Sequence, residues 1–540
     1  MRARPGKSAI FEQFAADGIS YMFGNPGTVE QGFLDEARNH QLSYIMALHE
    51  GAAVGIADGY ARATQRPALV QLHSGVGLGN GIGMLYQAKR GGSPLVVVAG
   101  EAGVRYDAMD AQMAADLVAM AEPVVKYATR VVDPNSTLRV LRRAVKIAMT
   151  PPRGPVMVVL PADVLDATTT EPVVPTSVPD TRVAPPADTL REAARMLSSA
   201  RRPLILMGDG IAASGAQREL TQVAERLGAP VWGVNSSEVN MDTTHPLYGG
   251  ALGHMFGEDS ARVVGDADGV LIVGTYVFPE VFPLLDSPFR ADARIVHIDL
   301  DPWEIAKNFP VDLGVVADPR LALSGLAEAL GPRTPMAAIL GTPPGSATAT
   351  EPGAPAGADD SLMDQLVRTL AERAPADLAV FDEALTAGGP LARHLPPRVP
   401  GRFFQTRGGS LGVGIPGAIG VKMARPELPV VGFTGDGGSM YTFQALWTAA
   451  REGVGAKFVI CNNGRYRLLD LNLRQYWRER GIAEHALPEA FDLTRPEIGF
   501  AELSAALGVP GRRVTRPDEV RDAVEAMWAH DGPYLIDLAV

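Results

Sequence analysis

The segment from Val430 to Gly464 constrains the fold more than any other part of the chain. Val430-Val431-Gly432-Phe433-Thr434 is a short apolar, β-branched run suited to a buried strand, and Met440, Phe443, Leu446, Trp447 and Ala450 then recur at helical spacing. Between them lies the glycine turn Gly435-Asp436-Gly437-Gly438-Ser439, and a second apolar run, Phe458-Val459-Ile460-Cys461, ends in Asn462-Asn463-Gly464. Strand, turn, helix and strand in that order predict two parallel strands. Glycine turn and asparagine pair then lie side by side at the carboxyl edge of the sheet, where such folds bind ligands.

The chemistry at that edge fits a diphosphate. Gly435, Gly437 and Gly438 let the backbone approach closely, and the helix N-terminus that follows, at Ser439, offers unpaired N–H groups to phosphate oxygens. A bare carboxylate would repel the anion, so Asp436 is read as holding a divalent cation that bridges to it. Asn463 adds a neutral oxygen, as a small hard cation such as Mg²⁺ requires. The triplet alone is common: it recurs at Gly208-Asp209-Gly210, where no asparagine pair follows at a comparable distance, and that copy reads as an ordinary strand-to-helix turn. Triplet plus asparagine pair resembles the thiamin-diphosphate-binding motif of the thiamin-dependent 2-oxo acid enzymes.

At 540 residues, 46% hydrophobic and 20% charged, the chain has material for about three globular domains. A net charge of −12 without a sustained basic run argues against nucleic acid or an anionic membrane as partner. The single cysteine, Cys461, excludes an intramolecular disulfide, and the basic start Met1–Ser8 lacks the apolar core of a secretion signal. The expected location is cytoplasmic. Two stretches read as linkers by composition, Thr168 to Asp188 and Gly331 to Asp359. They predict an N-terminal domain over 1–170, a middle domain over 188–330 and a C-terminal domain over 360–540. Apolar runs such as Pro94–Val98, Pro203–Met207 and Phe458–Cys461 alternate with amphipathic stretches, predicting α/β architecture: three doubly wound domains with mainly parallel sheets.

In the first segment, Tyr21–Thr28 reads as a strand breaking into an Asn25-Pro26-Gly27 turn, and Glu50 opens a helix of small residues, where a carboxylate suits the dipole. On these grounds alone a helix cap is the better reading of Glu50. Gly24–Glu30, the Glu50 helix and Gln71–Gly77 nevertheless occur in the order seen in the pyrimidine-binding domain of thiamin-dependent enzymes, and the likeness runs through all three domains, including Ala445–Ala450. The benzoylformate decarboxylases are the most similar branch.

The resemblance implies site roles residue by residue. Glu50 matches the glutamate that hydrogen-bonds the cofactor's pyrimidine and favours the imino form of its amine. Gly408-Gly409-Ser410-Leu411-Gly412 matches the segment in which Gly409 gives a backbone carbonyl to the aminopyrimidine and Leu411 wedges the bent cofactor. Gly435, Asp436, Gly437, Gly438, Ser439 and Asn463 bind the diphosphate; Asp436, Asn463 and the backbone carbonyl of Arg465 hold the metal. His73, at the end of the run Ala68–Leu72, matches an active-site histidine that assists proton transfer, and Thr28 stands where the branch carries serine. His49 either lines the pocket or faces solvent. Gly412–Gly417 also fits a dinucleotide-binding pattern, but no strand precedes it and Pro416 interrupts it.

Two features bear on the reaction. The branch takes a second catalytic histidine from its middle domain, whereas Tyr276–Pro283 contains none, and Glu280 is the stand-in if it points inward. After Asn463, Arg465–Trp477 reads as a substrate lid, with leucines at core-like helical spacing and with Arg465 or Arg467 placed to attract a carboxylate. The expected function is a thiamin-diphosphate- and Mg²⁺-dependent decarboxylase of a 2-oxo acid, releasing CO₂ and an aldehyde. A carboligase or lyase, acetolactate-synthase-like or 2-hydroxyketone-forming, is the alternative, and a bound flavin in the middle domain would mark the acetolactate synthase type. A cofactor-binding homologue without turnover is the third reading, against which Glu50, Asp436 and Asn463 weigh. The partners implied are a small-molecule 2-oxo acid or aldehyde and further copies of the chain, as a homodimer or homotetramer with active sites between subunits.

Overall fold

A computed structural model describes residues 3–252, 255, 257–332, 361–375 and 377–540. Its first segment builds six strands: β1 (Tyr21–Gly24), β2 (Ser43–Met46), β3 (Ala68–His73), β4 (Leu95–Glu101), β5 (Tyr127–Arg130) and β6 (Val156–Pro161). They lie in the order β2-β1-β3-β4-β6-β5, all parallel. The next is β7 (Pro203–Met207), β8 (Val231–Val234), β9 (Tyr248–Leu252), β10 (Gly269–Val273), β11 (Arg294–Asp299) and β12 (Leu313–Val316), in the order β9-β8-β7-β10-β11-β12, again parallel. In the last, β13 (Ala379–Glu383), β14 (Val430–Gly435), β15 (Lys457–Asn462), β16 (Gly511–Val514) and β17 (Tyr534–Ala539) run parallel in the order β13-β14-β15-β17-β16. Central strands such as Val96–Val98 and Phe458–Ile460 are buried throughout, as expected where helices cover both faces of a parallel sheet. The architecture is thus three doubly wound α/β sheets.

Two compact units result. One takes Met1–Pro179, Asp359–Pro390 and Thr406–Val540; the other takes Asp180–Ala358 and Leu391–Gln405. Within the first unit the N- and C-terminal sheets are joined by two glycine-rich helices, α1 (Glu50–Thr64) and, far along the chain, one at Gly414–Ala424. A Cβ on Gly59 would sit 2.2 Å from the carbonyl oxygen of Gly417, and one on Gly420 would sit 2.0 Å from that of Ile56. Glycine at these positions is what lets the backbones touch. Thr448 adds a hydrogen bond from its hydroxyl to the Met46 carbonyl, 2.9 Å away.

The Thr168–Asp188 stretch begins with a two-residue strand, Thr168–Thr169, paired with Arg4–Pro5, and continues without helix or strand to Pro186. It is pinned nonetheless: Gln13 donates to the Val174 carbonyl at 2.8 Å and the Thr176 N–H donates to Asp17 at 2.7 Å. The second expected linker, Gly331–Asp359, lies outside the described residues from residue 333 onward. No helix among the described residues is long and apolar enough to cross a membrane.

The second unit carries a pH-sensitive core group. His297 on β11 is buried, its Nε2 donating to the Thr275 carbonyl at 2.9 Å and its Nδ1 accepting from the Ala306 N–H at 3.3 Å. Burial pushes its pKa down to about 4. An unfolded histidine protonates near 6.5, so the stability from the neutral ring is present above that value and is lost as pH falls through 4, by up to roughly 3 kcal/mol. Asp299, pushed up to about 6 by burial, acts in the opposite direction over an overlapping window. The comparison is therefore between proteins: His297→Gln should become less destabilised than wild type as pH falls from 6.5 to 4. Denaturant unfolding at a series of pH values checks this, and parallel curves for the two proteins would refute it.

Candidate active site

In the first sheet the chain steps outward from β1 to β2, then returns to the other side of β1 as β3, so the carboxyl ends of β1 and β3 flank a topological switch point. From β1 the chain passes into Asn25–Thr28, and β3 ends at His73. Helix α1 begins at Glu50, and His49 caps it by accepting the Gly51 N–H on Nδ1 at 3.0 Å. That assigns the imidazole of His49 to the helix end. Glu50 is buried; Asn80 Nδ2 donates to its Oε2 at 3.0 Å, and Asn25 Nδ2 lies 3.5 Å from Oε1. Asn80 belongs to α2 (Ser74–Gly91). Gly77, on the first turn of α2, separates the two candidate groups: a Cβ there would be 3.0 Å from Glu50 Oε1 and 3.3 Å from His73 Cβ. Glu50 and His73 are therefore neighbours across one glycine.

His73 has a partner that sequence reasoning missed. Its Nδ1 lies 2.8 Å from Oε2 of the buried Glu30, whose Oε1 accepts the Gly100 N–H at 3.0 Å. Burial pushes the Glu30 pKa up, and His73 pulls against it. The imidazole packs on Gly27, where a Cβ would fall 2.0 Å from the ring. The Asn-Pro-Gly turn thus has a packing reason for its glycine beyond bending the chain. Thr28 stands exposed between Gly27 and Glu30.

In the C-terminal sheet β14 delivers Gly435, and Asp436–Ser439 forms a single helical turn. Asp436 is buried: Oδ1 accepts the Gly437 N–H at 2.7 Å, and Oδ2 accepts those of Asn463 and Arg465 at 3.1 and 3.2 Å. Burial pushes its pKa up against these donors, and among the described residues it has no ion-pair partner. The asparagines divide their work. Asn462 donates to the buried Asp537 at 3.0 Å, while Asn463 Oδ1 accepts only the Arg465 N–H here, at 3.1 Å. A cavity of about 180 Å³ opens beside Asp436, Asn463 and Gly464. Among the described residues no three His, Cys, Asp or Glu side chains gather as a metal cluster, so a cation at this turn depends on one carboxylate, an amide oxygen and backbone.

Arg465 contributes differently from one of the expectations. Its guanidinium pairs with Asp470, 2.5 Å away. The lid segment is helical over Arg467–Arg480, but its leucines are not core: Leu469 is 42% exposed, and Leu468, Leu471 and Leu473 are only half-buried. Trp477 and Asp470 are the residues it buries, because the apolar stripe is too narrow to cover the surrounding arginines. Glu280 is buried within the second unit and accepts the Ser260 hydroxyl at 2.6 Å, with burial raising its pKa.

The loop Gly408–Gly412 needs its glycines, since Gly408, Gly409 and Gly412 adopt left-handed φ values of +86°, +78° and +93°. Nothing lies within 4 Å of a Cβ on Gly409, leaving an open cradle beside Leu411. A Cβ on Gly83 of α2, one turn along from the Asn80 that holds Glu50, would lie 3.9 Å from Ser410 Oγ. On the other side, a Cβ on Gly412 would lie 3.2 Å from the Gly438 carbonyl oxygen. The glycine loop therefore lies beside the Asp436 turn.

Three family models match the chain: "Thiamine pyrophosphate enzyme, N-terminal TPP binding domain" over residues 4–120, the "central domain" over 190–326, and the "C-terminal TPP binding domain" over 387–538. The chain belongs to the thiamine pyrophosphate enzymes. Among relatives of this family, benzoylformate decarboxylase of Pseudomonas aeruginosa is 32% identical over 98% of each chain. The putative acetolactate synthase large subunit IlvX of Mycobacterium tuberculosis is 30% identical over 99% of each. A solved thiamine diphosphate-dependent 4-hydroxybenzoylformate decarboxylase from Rhodococcus jostii RHA1 superposes with a TM-score of 0.87 at 28% identity, covering 99% of both chains. The residues present fit thiamin diphosphate. Glu50 offers a buried carboxylate, Gly409 and Gly435 have open space at their Cβ positions, and the buried Asp436 lacks a counter-charge.

Proposed function

We propose that this thiamine pyrophosphate enzyme is an Mg²⁺-dependent decarboxylase of a 2-oxo acid, of the benzoylformate decarboxylase type, releasing CO₂ and an aldehyde. The observation that carries the reading is the His73–Glu30 pair set beside Glu50 across Gly77. With Nδ1–H donated to Glu30, Nε2 is left to take a proton and, once it carries one, to return it at the substrate carbonyl oxygen or the product carbon. Thr28, next to Gly27, adds a hydroxyl to orient the acid. When bound, thiamin diphosphate supplies a carbon nucleophile and an electron sink for the loss of CO₂.

The chain's own residues bind and orient that cofactor. Glu50, held by Asn80, would hydrogen-bond the pyrimidine, Gly409 would offer its carbonyl to the pyrimidine amine, and Leu411 would pack against the cofactor. Gly435, Gly437, Gly438 and Ser439 hold the diphosphate, and Asp436, Asn463 and the Arg465 carbonyl hold Mg²⁺. The domains proposed run over 1–170, 188–330 and 360–540, in a cytoplasmic homodimer or homotetramer whose active sites lie between subunits.

A second reading, an acetolactate-synthase-like carboligase or another lyase, is favoured by one feature: Tyr276–Pro283 carries no histidine, and its carboxylate Glu280 is bonded by Ser260. Release of CO₂ and aldehyde from a panel of aromatic, branched and short 2-oxo acids, with thiamin diphosphate and Mg²⁺ added and omitted, separates the two. Decarboxylation should need both additions, and Glu30→Gln should lower kcat about 10- to 100-fold with little change in cofactor affinity. No release from any acid, despite bound cofactor, would defeat the decarboxylase reading.

A further inference from the structure

Glu383 is a fully buried carboxylate to which none of the roles above assigns a task. It closes β13 in register with Thr434 of β14 and is 1% exposed. Its Oε1 accepts the Gly412 N–H at 2.5 Å, and its Oε2 accepts the Gly414 N–H at 2.6 Å and the Thr434 hydroxyl at 3.0 Å. A Cβ on Gly414 would lie 2.8 Å from Oε2, and one on Gly438 would lie 3.7 Å from Oε1. Glycine at 414 leaves room for the carboxylate, which also sits beneath the diphosphate turn. Among the described residues no cation pairs with it.

A buried charge without a counter-ion is costly unless donors satisfy it, and short N–H contacts to a carboxylate are the strong kind. All three donors come from the two segments that have to hold opposite ends of one ligand. Gly412 and Gly414 close the loop that carries Gly409 and Leu411; Thr434 leads into Gly435-Asp436.

We propose that Glu383 is a positioning residue that fixes the distance between the pyrimidine-holding loop and the diphosphate-holding turn, so that one cofactor can engage both. This rests on the cofactor-holding roles proposed above, not on the identity of the reaction. The Asp436 turn keeps its own N–H bonds from Gly437, Asn463 and Arg465, so loss of the Glu383 bonds should release the loop more than the turn.

The test compares two ligands of the full chain, thiamin diphosphate and inorganic pyrophosphate, each titrated calorimetrically with Mg²⁺ and without substrate. Glu383→Gln should weaken thiamin diphosphate by at least about tenfold while pyrophosphate affinity stays within about twofold, because one ligand spans both segments and the other only the turn. Equal weakening of both would reduce Glu383 to a general structural role, and no change in either would overturn the proposal. If the glutamine variant does not fold, Thr434→Val removes one donor and keeps the carboxylate; it should weaken thiamin diphosphate about two- to fivefold with pyrophosphate unchanged, and an unchanged ratio would refute the proposal. A wild type that binds thiamin diphosphate but decarboxylates no 2-oxo acid would defeat the reaction assigned above and leave this comparison intact.

Discussion

Glu50→Ala should lower turnover by roughly a thousandfold or more while thiamin diphosphate still binds within about tenfold of wild type. The split follows from where the carboxylate sits. Glu50 is held by Asn80 at 3.0 Å and borders His73 across Gly77, whereas the groups suited to the diphosphate belong to a different sheet. Removing the carboxylate takes away the partner that sets the pyrimidine's protonation and leaves the glycine turn and Asp436 untouched. Fluorescence titration of the cofactor, paired with single-turnover assays, reads the two effects separately. Turnover equal to wild type would refute the activation role, and loss of all cofactor binding would mean that Glu50 carries affinity that the geometry assigns to Asp436.

Asp436→Asn should show the opposite split: thiamin diphosphate affinity falls by about a hundredfold or more at a fixed Mg²⁺ concentration, and added Mg²⁺ recovers part of it. Two terms act together. The variant loses the negative charge that a divalent cation would bridge, and its amide nitrogen has to face a backbone N–H that the carboxylate now accepts, from Gly437 or from Asn463 and Arg465. Each charge-assisted bond lost costs about 1.5–3 kcal/mol, and two are enough for the expected loss. Recovery by Mg²⁺ should be absent in Glu50→Ala. Unaltered affinity in Asp436→Asn would remove this residue from the cation site.

How much of this arrangement was legible depended on distance along the chain. The Asp436 turn and the asparagine pair lie on two consecutive parallel strands, so a strand-helix-strand reading was enough to bring them together. Glu50 was visible only in part: a carboxylate opening a helix of small residues reads locally as a cap, and its site role came from the family resemblance. Glu30 was not. It follows Thr28 by two positions and forms no motif with it; its meaning comes from His73, 43 residues away, through the pairing of β1 with β3. The signal that would have found it is an acidic residue just past one strand end and a histidine at the neighbouring strand end. Glu383 was hidden for the same reason, since its partners Gly412, Gly414 and Thr434 lie about 30 to 50 residues further on. The Arg467–Arg480 helix failed in the other direction: its leucine spacing resembled a core face, but a helix that carries so many arginines cannot be sunk into a core without stranding charge.

The glycine contact between α1 and the Gly414–Ala424 helix places a limit on how this protein can be recombined. With the two backbones separated by no more than a hydrogen at Gly59 and Gly420, neither helix tolerates a partner whose small residues are offset by one position. Segments exchanged with a relative must therefore carry both helices or neither, although some 350 residues of chain separate them. A crossover placed between them, harmless by the look of the sequence there, would join two halves whose surfaces were shaped against different counterparts. The contact between those halves is inherited as a pair of distant segments rather than as a stretch.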